Sequence, residues 1–161
     1  MFGMFKKKED KIVVGSPVRG QAVPIREVSD PTFGDEILGK GVAVKPTDGR
    51  VYAPVDGEVS LLFDTLHAVS LTGTGGAEIL VHIGLDTVAL KGEHFTAHVK
   101  TGDTVKKGDL LITADLEKIR EAGYDTITPV VICNTDEFAA VEGVTGSDVG
   151  PGDTVLILTK K

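Results

Sequence analysis

The chain has 161 residues, 41% of them hydrophobic, enough for one well-buried domain rather than two. A formal net charge of -7 argues against nucleic acid as a partner, because the phosphate backbone demands clustered Lys and Arg. Aromatic residues make up only 5% and Trp is absent, whereas Gly numbers 20, a profile of many short strands joined by tight turns. The expectation is an all-β fold: a compact antiparallel β-sandwich, partly barrel-like, with an internal pseudo-duplication and a few short helices.

Residues 1–12 read as a flexible tail and residues 13–161 as the folded domain. The tail is apolar at its start and basic at its centre, with Phe2, Met4 and Phe5 beside Lys6, Lys7 and Lys8. It lacks the apolar core of an export signal, and no later segment is apolar for long enough to span a bilayer. What the tail can offer is weak contact with an anionic membrane surface.

Pro17-Val18-Arg19-Gly20 and Pro54-Val55-Asp56-Gly57 follow one plan, and Gly102-Asp103-Thr104-Val105 and Gly152-Asp153-Thr154-Val155 follow another. Their order predicts paired strand-turn-strand units rather than a tandem array. Between the first two, Ser29 to Gly39 has a capping Ser or Asp, an early Pro and a terminal Gly. This predicts a short helix with Phe33, Ile37 and Leu38 on one apolar face. Val42–Pro46 and Arg50–Pro54 read as strands.

Phe63–Leu71 reads as a further strand, linked by Gly73-Thr74-Gly75-Gly76 to the strand Glu78–Ile83. In that second strand Ile79, Val81 and Ile83 alternate with Glu78, Leu80 and His82, so the apolar trio faces a core and His82 takes the other face. Gly84 permits a sharp turn, and Asp86-Thr87 brings a carboxylate and a hydroxyl beside the imidazole. Counted outward from the turn, His67 and His82 come opposite each other, with Thr65 on the face of His67.

His94 and His98 lie four apart on a predicted strand, too far for a two-ligand metal clamp, and read as surface residues. Asp115–Gly123 predicts a second short helix. Cys133, the single cysteine, follows the apolar run from Pro129, which predicts a small buried thiol and no intramolecular disulfide, as suits a reducing cytosol. Thr154–Thr159 reads as the closing strand.

Thr65-Leu66-His67-Ala68, the stretch Glu78–Glu93 that begins Glu-Ile-Leu-Val-His-Ile-Gly-Leu-Asp-Thr, and Thr126–Asp136 together resemble the glucose-type enzyme IIA of the bacterial sugar phosphotransferase system. The resemblance runs from about Ser16 to the C-terminus, and the middle motif is highly specific. It implies a cytoplasmic phosphocarrier with no required cofactor. Phospho-HPr would donate a phosphoryl group to His82, and a Cys of an enzyme IIB domain of a sugar permease would receive it. The second nitrogen of His82 should donate to a backbone carbonyl near Gly84, leaving a neutral nucleophilic nitrogen facing outward. His67 would stabilise the phosphoryl oxygens, and Thr65 would position His67 or that oxygen. Phe33, Ile37, Leu38, Phe63 and Val88 would form an apolar docking rim, with Asp30 and Asp86 as outer charges for a basic partner.

Further implications of the resemblance are regulatory binding of other proteins and a tail like that of some stand-alone members. A zinc ion bridging His67 and His82 to a partner's carboxylate is compatible with it but not required. No glycine-lysine phosphate loop is present, which argues against ATP as donor. Two rival readings are weaker. A zinc hydrolase could use His67, His82 and Asp86, but there is no compact ligand motif and no base. A biotinyl- or lipoyl-type carrier would need a Lys at a hairpin tip, which is missing.

Overall fold

The computed structural model describes residues 10–161 and contains fourteen strands and only short helices. The strands are β1 (Lys11–Gly15), β2 (Gly20–Pro24), β3 (Lys40–Pro46), β4 (Arg50–Tyr52), β5 (Gly57–Leu62), β6 (Ala68–Gly73) and β7 (Glu78–His82). They continue with β8 (Phe95–Ala97), β9 (Thr104–Val105), β10 (Leu110–Ala114), β11 (Thr128–Ile132), β12 (Phe138–Gly143), β13 (Asp148–Val149) and β14 (Thr154–Lys160). Two α-helices are present among the described residues, α1 (Pro31–Gly34) and α2 (Leu116–Glu121). β1 takes in Lys11 and Ile12, which the sequence reading puts in the tail, and the expected membrane contact through Phe2, Met4, Phe5 and Lys6 to Lys8 lies outside the described residues.

All pairings are antiparallel. An eight-stranded sheet has the order β13-β2-β3-β11-β7-β6-β5-β9, and two three-stranded sheets have the orders β1-β14-β12 and β4-β10-β8. The large sheet ends in separate edge strands, β13 and β9, so the sandwich is open and there is no closed barrel. Both edges are two residues long, which leaves little unpaired backbone to recruit another chain.

The large sheet's order is a palindrome. Strands β4 to β10 form one continuous half; β1 to β3 and β11 to β14 form the other, into which the first is inserted. Val81 and Val130 face each other where the halves meet. The repeated motifs anchor this symmetry. Gly20 and Gly57 open β2 and β5, where an added Cβ would lie 2.0 Å from the Lys45 carbonyl and 2.2 Å from the Thr72 carbonyl. Gly102 and Gly152 take φ of +96° and +89° in matching turns closed by Asp103 and Asp153, which accept from the Lys100 and Gly150 amides.

Strand alternation separates two cores. Ile79, Val81, Val130 and Ile132 face the main core between the sheets, with Val14, Leu111, Leu156 and Leu158 among its fully buried side chains. Leu80, Ala43 and Val131 face the other side, where Ile25, Val28 and Phe33 cover them in a second, smaller core. The β2–β3 connection supplies that cover. It spans residues 25–39, whereas the matching β5–β6 connection spans only residues 63–67. One half of this face is therefore roofed, and His82 lies at the roof's edge, partly exposed and against Phe33.

The predicted helix over Ser29–Gly39 is a single turn. Asp30 caps it by accepting from the Thr32 amide at 3.0 Å, Pro31 starts it, and the left-handed Glu36 (φ +59°) turns the chain away. Phe33, Ile37 and Leu38 therefore do not share a helix face. Cys133 lies one residue beyond β11 and is exposed, contrary to the expectation of a buried thiol, because the strand ends at Ile132 and the chain turns outward. α2 forms as predicted, capped by Asp115 and ended by Gly123 at φ +95°. His94 precedes β8 and His98 follows it; His98 is exposed and pairs with Thr113.

Candidate functional site

His82 is the last residue of β7. The β7–β11 ladder stops at Val81–Val130, next to Pro129, which has no N–H to offer. Beyond it the chain curls through Gly84 at φ +78°, where the Gly84 amide donates to the Ile127 carbonyl at 3.1 Å. A Cβ at Gly84 would stand 2.7 Å from the Asp125 carbonyl oxygen and 2.7 Å from Thr87 Cγ2, so only glycine fits without displacing its neighbours. The curl brings the Gly84 carbonyl to 2.7 Å from His82 Nδ1. A carbonyl can only accept, so Nδ1 carries the hydrogen and Nε2 keeps its lone pair.

His67 lies outside β6, although the sequence predicts a strand over Phe63–Leu71 that includes it. Residues 63–67 form a tight turn, with Leu66 in the left-handed region at φ +59°, the Leu66 amide donating to the Phe63 carbonyl, and β6 starting only at Ala68. The His67 carbonyl accepts from the Ile83 amide at 2.7 Å, tying the two histidine segments together. The two rings meet nearly edge to face, centroids 4.8 Å apart and planes at 83°. Thr65 Oγ1 lies 2.5 Å from His67 Nδ1, brought there by the turn and not by strand alternation.

Aromatic side chains support both rings. Phe33 packs on His82 at 4.8 Å, and Phe63 meets His67 edge-on at 5.5 Å. Burial disfavours the imidazolium of each. His67, only 5% exposed, is pushed down to about 4, with the neighbouring His82 adding to the effect. His82 is also shifted below its ordinary value by burial; its bond to Gly84 and the carboxylates of Asp30 and Asp86 pull the other way. Both rings are neutral near pH 7.

Of the other predicted residues, Val88 is 53% exposed and Asp86 is exposed at the head of the 3-10 turn Thr87–Leu90. Ile37 is 69% exposed and, with the exposed Leu38, borders a hollow lined by Lys40, Cys133 and Thr135. Phe33, 4% exposed, is a support beneath His82 and not part of an exposed rim, because the single-turn helix points it into the second core. Phe63 is half-buried against His67. The sequence does not predict the Phe33–His82 contact, and it places the Thr87 hydroxyl beside the imidazole, where the structure instead turns it onto the backbone. Thr87 is fully buried, and its hydroxyl donates to the Ile83 carbonyl at 2.6 Å.

No group of three or more His, Cys, Asp or Glu side chains stands ready for a metal among the described residues. A zinc ion held by these two imidazoles would take its remaining donors from outside the pair.

Fold and site together define an open β-sandwich domain in which two neutral imidazoles meet beside one end of the large sheet. Residues 12–138 match the model of the phosphoenolpyruvate-dependent sugar phosphotransferase system, EIIA 1. The chain is 45% identical over 157 residues to the "PTS system glucose-specific EIIA component" of Oceanobacillus iheyensis, covering 98% of this chain and 95% of that one. It is 49% identical over 134 residues to the "PTS system beta-glucoside-specific EIIBCA component" of Dickeya chrysanthemi, covering 83% of this chain but 21% of that longer protein. Among solved structures, glucose permease IIA from Mycoplasma capricolum superposes with a TM-score of 0.84 at 34% identity, covering 91% of this chain and 95% of that one. The chain belongs to the EIIA 1 family of the phosphoenolpyruvate-dependent sugar phosphotransferase system, and so is a component of a phosphotransferase. No described helix is long and apolar enough to cross a membrane.

Proposed function

We propose that this chain is a phosphocarrier that takes a phosphoryl group from phospho-HPr onto His82 Nε2 and passes it to a Cys of an enzyme IIB domain. The observation that carries this reading is the wiring of the pair. His82 Nδ1–H is committed to the Gly84 carbonyl at 2.7 Å, so Nε2 is the one nitrogen of that ring with a free lone pair. As its lone pair forms the bond to phosphorus, the bond to the donor nitrogen breaks and the electron pair leaves with the donor. The His82 ring gains positive charge, which strengthens its hydrogen bond to Gly84.

His67 is wired the opposite way. A Thr65 hydroxyl donating to His67 Nδ1 leaves the hydrogen on Nε2, able to donate to a phosphoryl oxygen. Its neutrality, enforced by burial, makes it a hydrogen-bond donor and not a second cation. Protein partners suit the site because His82 is partly exposed, Val88 six residues on is 53% exposed, and the Asp86 carboxylate near His82 can meet a basic partner. Fusion of EIIA to other system components, as in the EIIBCA protein of Dickeya chrysanthemi, supports an enzyme IIB domain as the acceptor.

The experiment is incubation with phosphoenolpyruvate, enzyme I and HPr, followed by mapping of the label. The expected result is label on His82 and none in His82→Gln; wild-type labelling of that variant would sink the assignment. A partner-shared zinc ion would use the same two Nε2 atoms once His67 had given up its Nε2 hydrogen. Excess zinc together with such a partner should then slow labelling, and removal by chelator should restore it.

A further inference from the structure

The duplicated fold allows the His82 turn to be compared with its own counterpart. Ile83 and Ile132 occupy matching positions two residues beyond the facing Val81 and Val130. Each is followed by a threonine that opens a 3-10 turn and donates back to it: Thr87 Oγ1 to the Ile83 carbonyl at 2.6 Å, and Thr135 Oγ1 to the Ile132 carbonyl at 2.6 Å. The clasp is thus a feature of both halves, but what it encloses differs. Between Ile132 and Thr135 lie Cys133 and Asn134; between Ile83 and Thr87 lie Gly84, Leu85 and Asp86, one residue more.

That longer loop is closed with left-handed backbone at both Gly84 (φ +78°) and Asp86 (φ +60°). Its one carbonyl directed at the site is that of Gly84, on His82 Nδ1. The counterpart turn has no histidine to serve, since position 131, matching His82, is a buried valine. Thr87 is fully buried, its methyl group lies against Gly84, and Ile83 is its one side-chain hydrogen-bond partner.

We infer that Thr87 is a positioning residue for phosphoryl transfer, whose clasp on the Ile83 carbonyl holds the Gly84 carbonyl on His82 Nδ1 and thereby sets the tautomer and aim of the reactive ring. This rests on the phosphocarrier reading for its kinetic consequence, not for its geometric one. Loss of an outer partner that orients a functional histidine costs about 10- to 100-fold.

The test uses Thr87→Val, which keeps the shape and removes the hydroxyl, Thr87→Ser, which restores it, and Thr135→Val, which breaks the matching clasp in the other half. Long-range proton–nitrogen NMR of the imidazoles reads the tautomer, and labelling from phospho-HPr reads the rate. Wild type should show His82 with its hydrogen on Nδ1 alone. Thr87→Val should show mixed tautomers and labelling slowed about 10- to 100-fold. Thr87→Ser should recover both, and Thr135→Val should change neither. An unchanged tautomer and rate in Thr87→Val overturns the inference, as does an equal loss in Thr135→Val, which would mark the clasp as general scaffolding. If Thr87→Val does not fold, Thr87→Ala is read by the same criteria. Should wild-type His82 take no label while its tautomer still responds to Thr87→Val, the phosphocarrier reading fails and the positioning role stands.

Discussion

His67 and His82 meet ring to ring at 4.8 Å although the sheet register pairs His82 with Ala68. Had β6 begun one residue earlier, His67 would lie opposite Ile83 and point with it into the main core, since alternate strand residues face opposite ways. The left-handed Leu66 prevents this by turning the chain before the strand starts. The pair thus depends on a turn as much as on a hairpin, and the two rings differ in their partners, a backbone carbonyl for His82 and a threonine hydroxyl for His67. Their roles should therefore separate under mutation.

His67→Gln should still accept a phosphoryl group, because the nucleophile and the docking face remain. Onward transfer should slow by roughly two to three powers of ten, the usual cost of losing one hydrogen bond to developing charge. Single-turnover transfer from the labelled variant to an enzyme IIB domain checks this, measured beside the labelling step. Label accepted by His82→Gln but not by His67→Gln would show that the two roles are reversed.

Acid should act on this pair before it acts on the carboxylates. Between about 4 and the ordinary value of 6.5, an unfolded chain binds a proton at His67 that the native protein excludes. Stability should therefore rise with pH across that window and fall as pH drops through it, with His82 adding in the same direction because its own value is also lowered. Denaturant melts between pH 4 and 7 read the slope, and His67→Gln should flatten it. NMR titration should find His67 still neutral at pH 5.

Gly84→Ala should damage the site more than its size suggests. The alanine would have to hold φ near +78° and place a methyl group 2.7 Å from the Asp125 carbonyl oxygen. The backbone term alone is worth about 1 to 2 kcal/mol. The steric clash should also pull the Gly84 carbonyl off His82, so that labelling falls sharply in protein that remains folded by circular dichroism.

Val88→Asp should slow the protein-to-protein steps and spare the fold. The side chain is 53% exposed and close in sequence to Asp86, so the substitution removes an apolar contact without opening the core. If Val88 is a central contact, truncating it costs on the order of 1 kcal/mol or more in partner binding, read as a raised KM for HPr with unchanged melting. Ile37→Asp tests whether the hollow beside Cys133 belongs to the same docking surface; an unchanged KM would confine the surface to the His82 end of the sheet.

Much of this site could be read from the amino acids alone because strand periodicity is local. The alternation from Glu78 to His82 placed Ile79, Val81 and Ile83 in one core and His82 off it, and the repeated Pro-Val-x-Gly and Gly-Asp-Thr-Val motifs announced a duplicated all-β fold. What local pattern could not supply was long-range geometry. Periodicity offered one apolar helix face at 29–39, yet a one-turn helix buries Phe33 beneath His82 and leaves Ile37 in solvent, because an apolar sheet face needed a roof there. Cys133 read as buried by continuity with the apolar run before it, and lies outside because β11 ends at Ile132. The bond from His82 to the Gly84 carbonyl was already implied by the resemblance, whereas the nesting of one half within the other, the seat of Phe33 beneath His82 and the clasp of Thr87 were decided only in the tertiary structure. The first two depend on contacts between segments far apart in the chain, and the third on a turn whose backbone is held by the sheet it leaves, so none is a property of local pattern.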